Sequence, residues 1–174
     1  DSMTAQRLSG KPVAEQIRAR TAQLVESLKR DGFAAKIAVI LATDNEATAW
    51  YVRSIERVAA QQGVDSQVLR MPEANEEQLA ARILELNEDS TVHGIILQTP
   101  LPLGVDQSVL VQLIDPAKDI DGANPLSLGR LTVGQPAFAP ATARSVIEIL
   151  EHYDIPLAGQ HVAVVGRSAV VGKP

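Results

Sequence analysis

The sequence predicts an α/β fold in which a mostly parallel sheet is covered by helices. Short apolar runs rich in β-branched residues, typical of buried parallel strands, recur along the 174-residue chain. Segments with apolar residues at helical spacing separate these runs. This alternation is typical of right-handed βαβ units, whose ligands bind outside the carboxyl ends of the strands. The segments that follow the predicted strands are therefore candidate sites.

The first part of the chain predicts helix, strand and helix in turn. Apolar residues at helical spacing lead up to Asp31-Gly32, which ends the first helix. The apolar run 36–42 follows as a buried strand. Asp44 or Asn45 can cap a second helix. Four of its residues fall on one face: Tyr51, Ile55, Val58 and Ala59.

The middle of the chain continues the alternation. We expect a weaker strand at 64–70, a third helix that opens at Asn75, and a buried strand at 93–98. The prolines of the TPLP segment end that strand because they cannot donate to a ladder. A short helix is expected over 106–114.

The last third predicts a second structural unit. The segment 115–140 is rich in proline and glycine, so we expect only helical turns in it and interpret it as a hinge or cleft wall between two lobes. The spacing of apolar residues predicts a helix over 141–153. The run HVAVV (161–165) predicts a strand. The segment GRSAVVGKP that follows predicts a glycine turn and the start of a helix.

Composition excludes several classes of protein. The chain has 21 acidic residues against 16 Lys and Arg, which argues against a nucleic-acid partner. It has no cysteine, which excludes a disulfide scaffold, a thiolate zinc site and a cysteine nucleophile. No apolar run approaches the roughly 20 residues that span a bilayer. We expect a soluble, cytoplasmic protein with no membrane partner, and we interpret Asp1 and Ser2 as residues added ahead of Met3.

Two polar side chains lie where the strand pattern predicts ligands. Gln98 ends a strand just before a proline-stiffened loop, and its carboxamide can pair with the edge of a heterocycle. The alternative is an ordinary polar strand end. Tyr51 lies one turn into the second helix, where its ring can stack on a planar ligand or cap the core.

Two carboxylates, Asp119 and Asp121, stand beside Gly122, which favours a turn. A solvated loop would show the same pattern. No histidine lies close by in sequence, and we expect no metal site.

The segment after the last predicted strand suits a phosphate group. Gly166 allows a tight turn, and backbone N–H groups at a following helix start can hold phosphate oxygens. Arg167 and Ser168 add a guanidinium and a hydroxyl. The spacing is not the dinucleotide-binding GxGxxG pattern, and an ordinary strand–helix turn would look similar.

Taken together, the motifs resemble one family along the whole chain. They are, in order, LSGKPVA, ATAWYVRS, GIILQTPLP, KDIDGANP, GRL, PATARSVIEIL and HVAVVGRSAVVGKP. The chain resembles the methylenetetrahydrofolate dehydrogenase / methenyltetrahydrofolate cyclohydrolase family of one-carbon metabolism. The resemblance implies a two-lobed α/β fold, with a folate lobe at 1–139 and the start of a Rossmann NAD(P) lobe at 140–174. It also implies a homodimer and a tetrahydrofolate derivative as substrate.

The resemblance carries roles over to individual residues. Tyr51 matches the tyrosine that stacks against the folate ring system, and Asp121 matches the aspartate that holds the amino-pyrimidine edge. Gln98 matches the glutamine of the family's QLPLP motif, with Pro100 and Leu101 beside it as substrate-binding residues. We therefore expect Tyr51, Gln98 and Asp121 to be catalytic.

The resemblance also implies a nicotinamide cofactor. Gly166, Arg167 and Ser168 match the family's cofactor loop, in which the arginine can take the adenosine phosphate. This favours NADP, with NAD as the alternative. Two interpretations of the end at Pro174 are open: a longer native protein, or a chain that has lost cofactor binding. We favour the first, because an apolar strand at 161–165 would otherwise lack partners.

One departure from the family bears directly on chemistry. The family has a lysine four residues after the tyrosine, on the same face of the helix, and this chain has Ile55 there. Isoleucine carries neither a proton nor a charge. Hydride transfer depends largely on positioning, whereas cyclohydrolysis needs activated water and proton shuffling. We therefore expect the dehydrogenase activity to survive better than the cyclohydrolase activity.

Other departures surround the same predicted site. Thr43 stands where a glycine is usual, Thr48 where a serine is usual, and Ala123-Asn124 where Phe-His is common. This clustering indicates altered function rather than drift. Two alternatives remain open: a non-catalytic folate-binding or regulatory paralogue, and a dehydrogenase of the same fold that acts on another small substrate.

Overall fold

The computed structural model describes residues 5–174, so the interpretation of Asp1 and Ser2 lies outside the described residues. The described part contains one sheet of three parallel strands in the order β2-β1-β3, with helices packed around it. The elements in chain order are α1 (Lys11–Arg30), β1 (Lys36–Leu41), α2 (Glu46–Gln61), β2 (Asp65–Arg70), α3 (Glu76–Glu88), β3 (Gly94–Gln98), α4 (Gln107–Leu113), α5 (Pro125–Thr132) and α6 (Ala141–His152). The predicted α/β class and the first three strands are confirmed.

β1 lies at the centre of the sheet and contributes to the core on both faces. Ala38 and Ile40 join the larger buried cluster, formed with residues of α3 and α4. Val39 and Leu41 point to the opposite face, where they pack with Val52 of α2. Because the strand is buried on both faces, its sequence is a continuous apolar run rather than an alternating one.

Three of the helices, α2, α3 and α4, begin where the sequence predicts. The side chain of Asn45 accepts a hydrogen bond from the backbone N–H of Thr48 at 3.0 Å and caps α2. Asn75 and Gln78 form a reciprocal capping box at the start of α3. Asp106 accepts from the N–H of Ser108 at 2.8 Å, and bonding from Ser108 lowers the pKa of Asp106 below its usual value.

The expectation of only helical turns in 115–140 is wrong, because α5 is a helix of eight residues. Asn124 caps it by accepting the N–H of Leu126 at 2.7 Å. Pro125 occupies the first helical position, where its missing N–H costs nothing and its fixed φ favours the helix. The proline that suggested a loop therefore begins a helix.

The strand predicted at 161–165 is also wrong. These residues form no strand, and Val162 and Val164 are 68% and 66% exposed. A strand is defined by pairing with a neighbour, and none of the three described strands lies beside this segment. The start of a helix was expected after this segment, but residues 169–172 form turns.

α6, predicted over 141–153, ends at His152 and is tied to the amino-terminal part of the chain. The Tyr153 hydroxyl accepts from the Ser9 N–H at 3.1 Å and donates to the Ser9 carbonyl at 3.0 Å. None of the helices described within 5–174 has the length and apolarity needed to cross a membrane.

Candidate functional site

The carboxyl edge of the sheet places Gln98 beside the start of the loop that leads into α2. In the parallel register Leu41 is the β1 partner of Gln98, so the two strands end together. The half-buried side chain of Gln98 donates from Nε2 to the Thr99 carbonyl at 3.2 Å. Pro100 follows a cis peptide bond, and Leu101 packs against the larger core cluster.

Tyr51 lies on α2 near this edge. It is five residues after the first residue of the helix, which places it about 7.5 Å along the helix axis. Its side chain is 53% exposed, so it does not cap the core and its ring is accessible to a planar ligand. Trp50 beside it is 63% exposed.

The face of α2 that carries Tyr51 lines an apolar cavity of about 400 Å³. Ile55 is half-buried there and packs against the cluster of Val39, Leu41 and Val52. The polar residues of the lining are Thr21, Tyr51, Ser54 and Gln62. The lining contains no acid, lysine, arginine or histidine, so the cavity itself provides no charged group for proton transfer.

Asp121 lies in a turn, residues 118–124, that is held at several points. The carbonyl of Lys118 accepts from the Ile95 N–H at 2.8 Å, and its ammonium donates to three carbonyls at the end of α3, at 2.6 to 2.9 Å. Gly122 has φ +64°, and a Cβ there would lie 2.5 Å from the carbonyl carbon of Ala139. The backbone on both sides of Asp121 is therefore fixed by packing.

The two carboxylates of this turn have different environments. Asp119 is fully buried and accepts backbone N–H groups from Ala123 and Asn124 at 3.1 and 2.9 Å. Asp121 keeps contact with solvent, but loss of hydration and the nearby Asp119 carboxylate raise its pKa above the usual value. From the sequence, Asp119 was only one of two carboxylates in a predicted turn. The pattern did not reveal that this carboxylate accepts the N–H groups of the residues four and five positions later.

Three of the replaced residues have local structural roles. Thr43 accepts from the Asn45 N–H at 3.2 Å, and the Thr48 hydroxyl donates to the Asn45 side chain at 3.1 Å, so both support the cap of α2. The buried side chain of Asn124 donates to the Ile114 carbonyl at 2.8 Å and also to the Val111 carbonyl, both at the end of α4. Ile55 is the replacement that changes the chemistry of the lining.

The structure brings some of the predicted site residues together and leaves others apart. Tyr51 and Ile55 share one cavity, whose lining includes neither Gln98 nor Asp121. Gly166, Arg167 and Ser168 lie in an exposed segment, in which the Ser168 carbonyl accepts from the Lys173 N–H at 3.1 Å. No group of three metal-ligating side chains lies together within residues 5–174.

Two family models match this chain. "Tetrahydrofolate dehydrogenase/cyclohydrolase, catalytic domain" matches residues 8–121, which is more than half of the chain. The chain belongs to this family. "Tetrahydrofolate dehydrogenase/cyclohydrolase, NAD(P)-binding domain" matches residues 140–174. The resemblance that the motifs indicate is thereby confirmed.

Members of the family with high similarity are bacterial. Bifunctional protein FolD 1 of Paenarthrobacter aurescens (strain TC1) is 57% identical over 173 residues, which are 99% of this chain and 59% of that protein. Bifunctional protein FolD of Arthrobacter globiformis is 53% identical over the same length and coverage. The chain thus spans about 59% of the length of these relatives.

Solved structures of the family share the fold. The bifunctional FolD dehydrogenase/cyclohydrolase of Campylobacter jejuni superposes with a TM-score of 0.93 at 33% identity, over 95% of this chain and 60% of that one. The Trypanosoma brucei enzyme, a complex with NADP cofactor and inhibitor, gives a TM-score of 0.90 at 28% identity, over 97% and 58% of the two chains.

Proposed function

We propose that this chain is the folate-binding part of a methylenetetrahydrofolate dehydrogenase that uses NADP and has little methenyltetrahydrofolate cyclohydrolase activity. The observation that carries the proposal is the placement of Ile55. It lies on the same face of α2 as Tyr51, half-buried in an apolar cavity, where the family places a lysine. Tyr51, Gln98 and Asp121 of the proposed site are kept.

The proposed binding residues come from three segments of the chain. Tyr51 provides an exposed ring for stacking on the folate ring system, and Gln98 a carboxamide at the strand end. Asp121 provides an acceptor for the paired N–H donors of the amino-pyrimidine edge. Pro100 and Leu101 shape the loop beside Gln98. The family membership of the chain supports these roles.

Dehydrogenation tolerates the loss of the lysine better than hydrolysis does. Hydride transfer requires that the methylene carbon lie close to the nicotinamide ring, which is a matter of orientation. Hydrolysis of the methenyl product requires an activated water and proton transfer, and such help contributes about 10²–10⁴-fold. Ile55 can supply neither a proton nor a charge, so the rate of hydrolysis falls more than the rate of hydride transfer.

The hydride acceptor would be supplied by bound NADP. Gly166, Arg167 and Ser168 would hold part of it, and their exposure leaves the guanidinium, the hydroxyl and the turn backbone accessible to a phosphate. NADP is favoured over NAD because Arg167 can pair with an additional phosphate. The NADP complex of the Trypanosoma brucei enzyme supports this choice.

We also propose a lobe boundary at 139/140, a homodimer and a cytoplasmic location. The buried Pro140 precedes α6, and separate family models match 8–121 and 140–174, which supports the boundary. Dimerisation rests on the family resemblance, and analytical ultracentrifugation of the full-length protein tests it. The acidic composition without cysteine supports the location.

The test is a two-wavelength assay of the full-length protein with methylenetetrahydrofolate and NADP. Reduced cofactor and methenyltetrahydrofolate are followed separately. The proposal expects methenyl product to accumulate in step with reduced cofactor. Faster loss of methenyl product than its spontaneous rate would mean that another residue replaces the lysine, and the proposed loss of hydrolysis would be wrong.

Binding without turnover is measured in parallel. Trp50, the one tryptophan of the chain, is exposed beside Tyr51, so its fluorescence reports on a bound folate analogue. Binding with no reduction of NADP would identify a non-catalytic folate-binding paralogue. No binding at all would point to a dehydrogenase with another small substrate.

A further inference from the structure

The turn around Asp121 is built on a buried carboxylate, that of Asp119. Its exposure is 0%, and each of its oxygens accepts one backbone N–H: that of Ala123 at Oδ1 and that of Asn124 at Oδ2. The Asp119 carbonyl accepts the N–H of Gly122 at 3.1 Å. The backbone N–H groups of the three residues that follow Asp121 are therefore all bound to Asp119.

This arrangement requires a carboxylate rather than an amide. An asparagine would offer one acceptor oxygen and turn its NH₂ group towards the second N–H. Burial of a charge is costly unless hydrogen bonds compensate it. The ion pairs found within residues 5–174, Arg82–Glu85 and Arg144–Glu148, do not involve Asp119, so backbone donors hold its charge in the described part of the chain.

The turn is also fixed from outside. Lys118 ties its beginning to β3 and to the end of α3, and Gly122 lies against the backbone of Ala139 and Pro140 so closely that a Cβ would clash. Asp121 is thus the exposed member of a turn whose other members are bound. Asp119 provides the bonds that close this turn around it.

We propose that Asp119 is a positioning residue: its buried carboxylate closes the 118–124 turn and fixes the place from which Asp121 meets the donor groups of the folate substrate. The inference rests on the proposed function, because it assigns Asp119 a role through Asp121 in that site. A purely structural Asp119 would support the stability of the fold without acting through Asp121. The two roles differ in whether the effects of Asp119 and Asp121 on substrate binding are independent.

The test is a double-mutant cycle in the full-length protein. Asp119→Asn removes one acceptor at nearly constant volume and should raise KM for methylenetetrahydrofolate on the order of tenfold, with kcat less affected. In an Asp121→Asn background the same change should raise KM less than twofold, because the group being positioned is gone. Additive effects in the two backgrounds would overturn the proposal, as would an unchanged KM in Asp119→Asn.

A matched control separates binding from stability. Ile83→Val removes one methyl group from the buried face of α3 and should lower Tm without changing KM. Asp121→Asn alone tests the proposed function. An unchanged KM in Asp121→Asn rejects the folate site itself. If KM is raised in Asp121→Asn but unchanged in Asp119→Asn, only the positioning role is rejected.

A second variant covers the case in which Asp119→Asn does not fold. Gly122→Ala keeps both carboxylates but pushes the turn away from Ala139. It should raise KM, and it should leave KM unchanged when it is added to Asp121→Asn. A normal KM in Gly122→Ala would contradict the proposal. If neither variant folds, the turn determines folding rather than substrate binding, and the proposal is wrong.

Discussion

The α2 face (Tyr51, Ile55 and Val58) and the 118–124 turn are proposed as two sides of one folate site, and they are built in opposite ways. The α2 face is apolar apart from the tyrosine and borders a cavity of about 400 Å³. The turn contains two carboxylates, one of them buried and bonded to two backbone N–H groups. One side thus offers stacking and packing, and the other offers hydrogen-bond acceptors.

The difference separates two tasks that the family combines. Recognition of a planar heterocycle with N–H donors needs a ring and a fixed acceptor, and both sides retain these groups. Proton transfer needs an ionisable group near the reacting carbon, and apart from the Tyr51 phenol the α2 face has none. We infer that binding and orientation are kept while acid–base assistance from this helix is lost.

The substitution Ile55→Lys breaks the contrast between the two sides most directly. It restores the family's lysine, and we expect cyclohydrolase activity to rise about 10²-fold, the lower end of typical acid–base contributions. The rate of NADP reduction should change much less. Decay of methenyltetrahydrofolate above its spontaneous rate measures the gain.

Ile55→Met is the matched control, because methionine is long and apolar but carries no charge. It should leave the cyclohydrolase rate unchanged. An Ile55→Lys protein that folds and still hydrolyses no faster than Ile55→Met would show that the missing lysine does not explain the loss.

Tyr51 tests the stacking role of the same face. Tyr51→Ala should weaken binding of a folate analogue about tenfold, since stacking on an aromatic ring contributes about 1–3 kcal/mol per base in comparable systems. Tyr51→Phe keeps the ring and should bind within about twofold of the wild type. Isothermal titration measures both. Equal weakening by the two variants would assign the effect to the hydroxyl instead.

The sequence was informative for most elements whose structure is determined locally, although the locally capped α5 was missed. The runs at 36–42 and 93–98 are rich in β-branched residues, and Asn45 and Asn75 are capping residues, so strands and helix starts were predictable. The strand predicted at 161–165 failed because pairing depends on a neighbour that the run itself does not specify.

The candidate site shows the same limit. Tyr51 and Ile55 share a cavity, as their spacing of four on a helix predicts. The burial of Asp119 could not be predicted, because its turn packs against β3, the end of α3 and Ala139, and the sequence of the turn does not specify these contacts. The pattern of two acids and a glycine fits a solvated loop equally well.

Asn45 tests whether the replacements near the cap of α2 concern structure rather than catalysis. Asn45→Ala removes the acceptor of the Thr48 N–H and should lower the free energy of unfolding by about 1 kcal/mol. The ratio of dehydrogenase to cyclohydrolase activity should stay constant. Urea denaturation gives the stability, and Asn45→Asp, which keeps the cap, should match the wild type. A changed activity ratio would link the cap to the site.

The smallest expected effect concerns the charge on Asp121. Its pKa in the folded protein is raised by loss of hydration and by Asp119, so ionisation of Asp121 disfavours the fold. This penalty is absent below the unfolded pKa, near 3.8, grows as pH rises through the folded pKa, and is constant above it. Asp121→Asn should therefore stabilise the protein at pH 7, while it weakens folate binding.

Solvent contact screens the charge on Asp121, so we expect a gain of only about 0.2–1 kcal/mol at pH 7, falling to near zero below the unfolded pKa. Thermal unfolding of the wild type and Asp121→Asn across this pH range measures it. Glu73→Gln, at an exposed acid in the loop before α3, is the control and should show no such trend. A gain independent of pH would assign the effect to packing, and the two carboxylates would then not share an electrostatic environment.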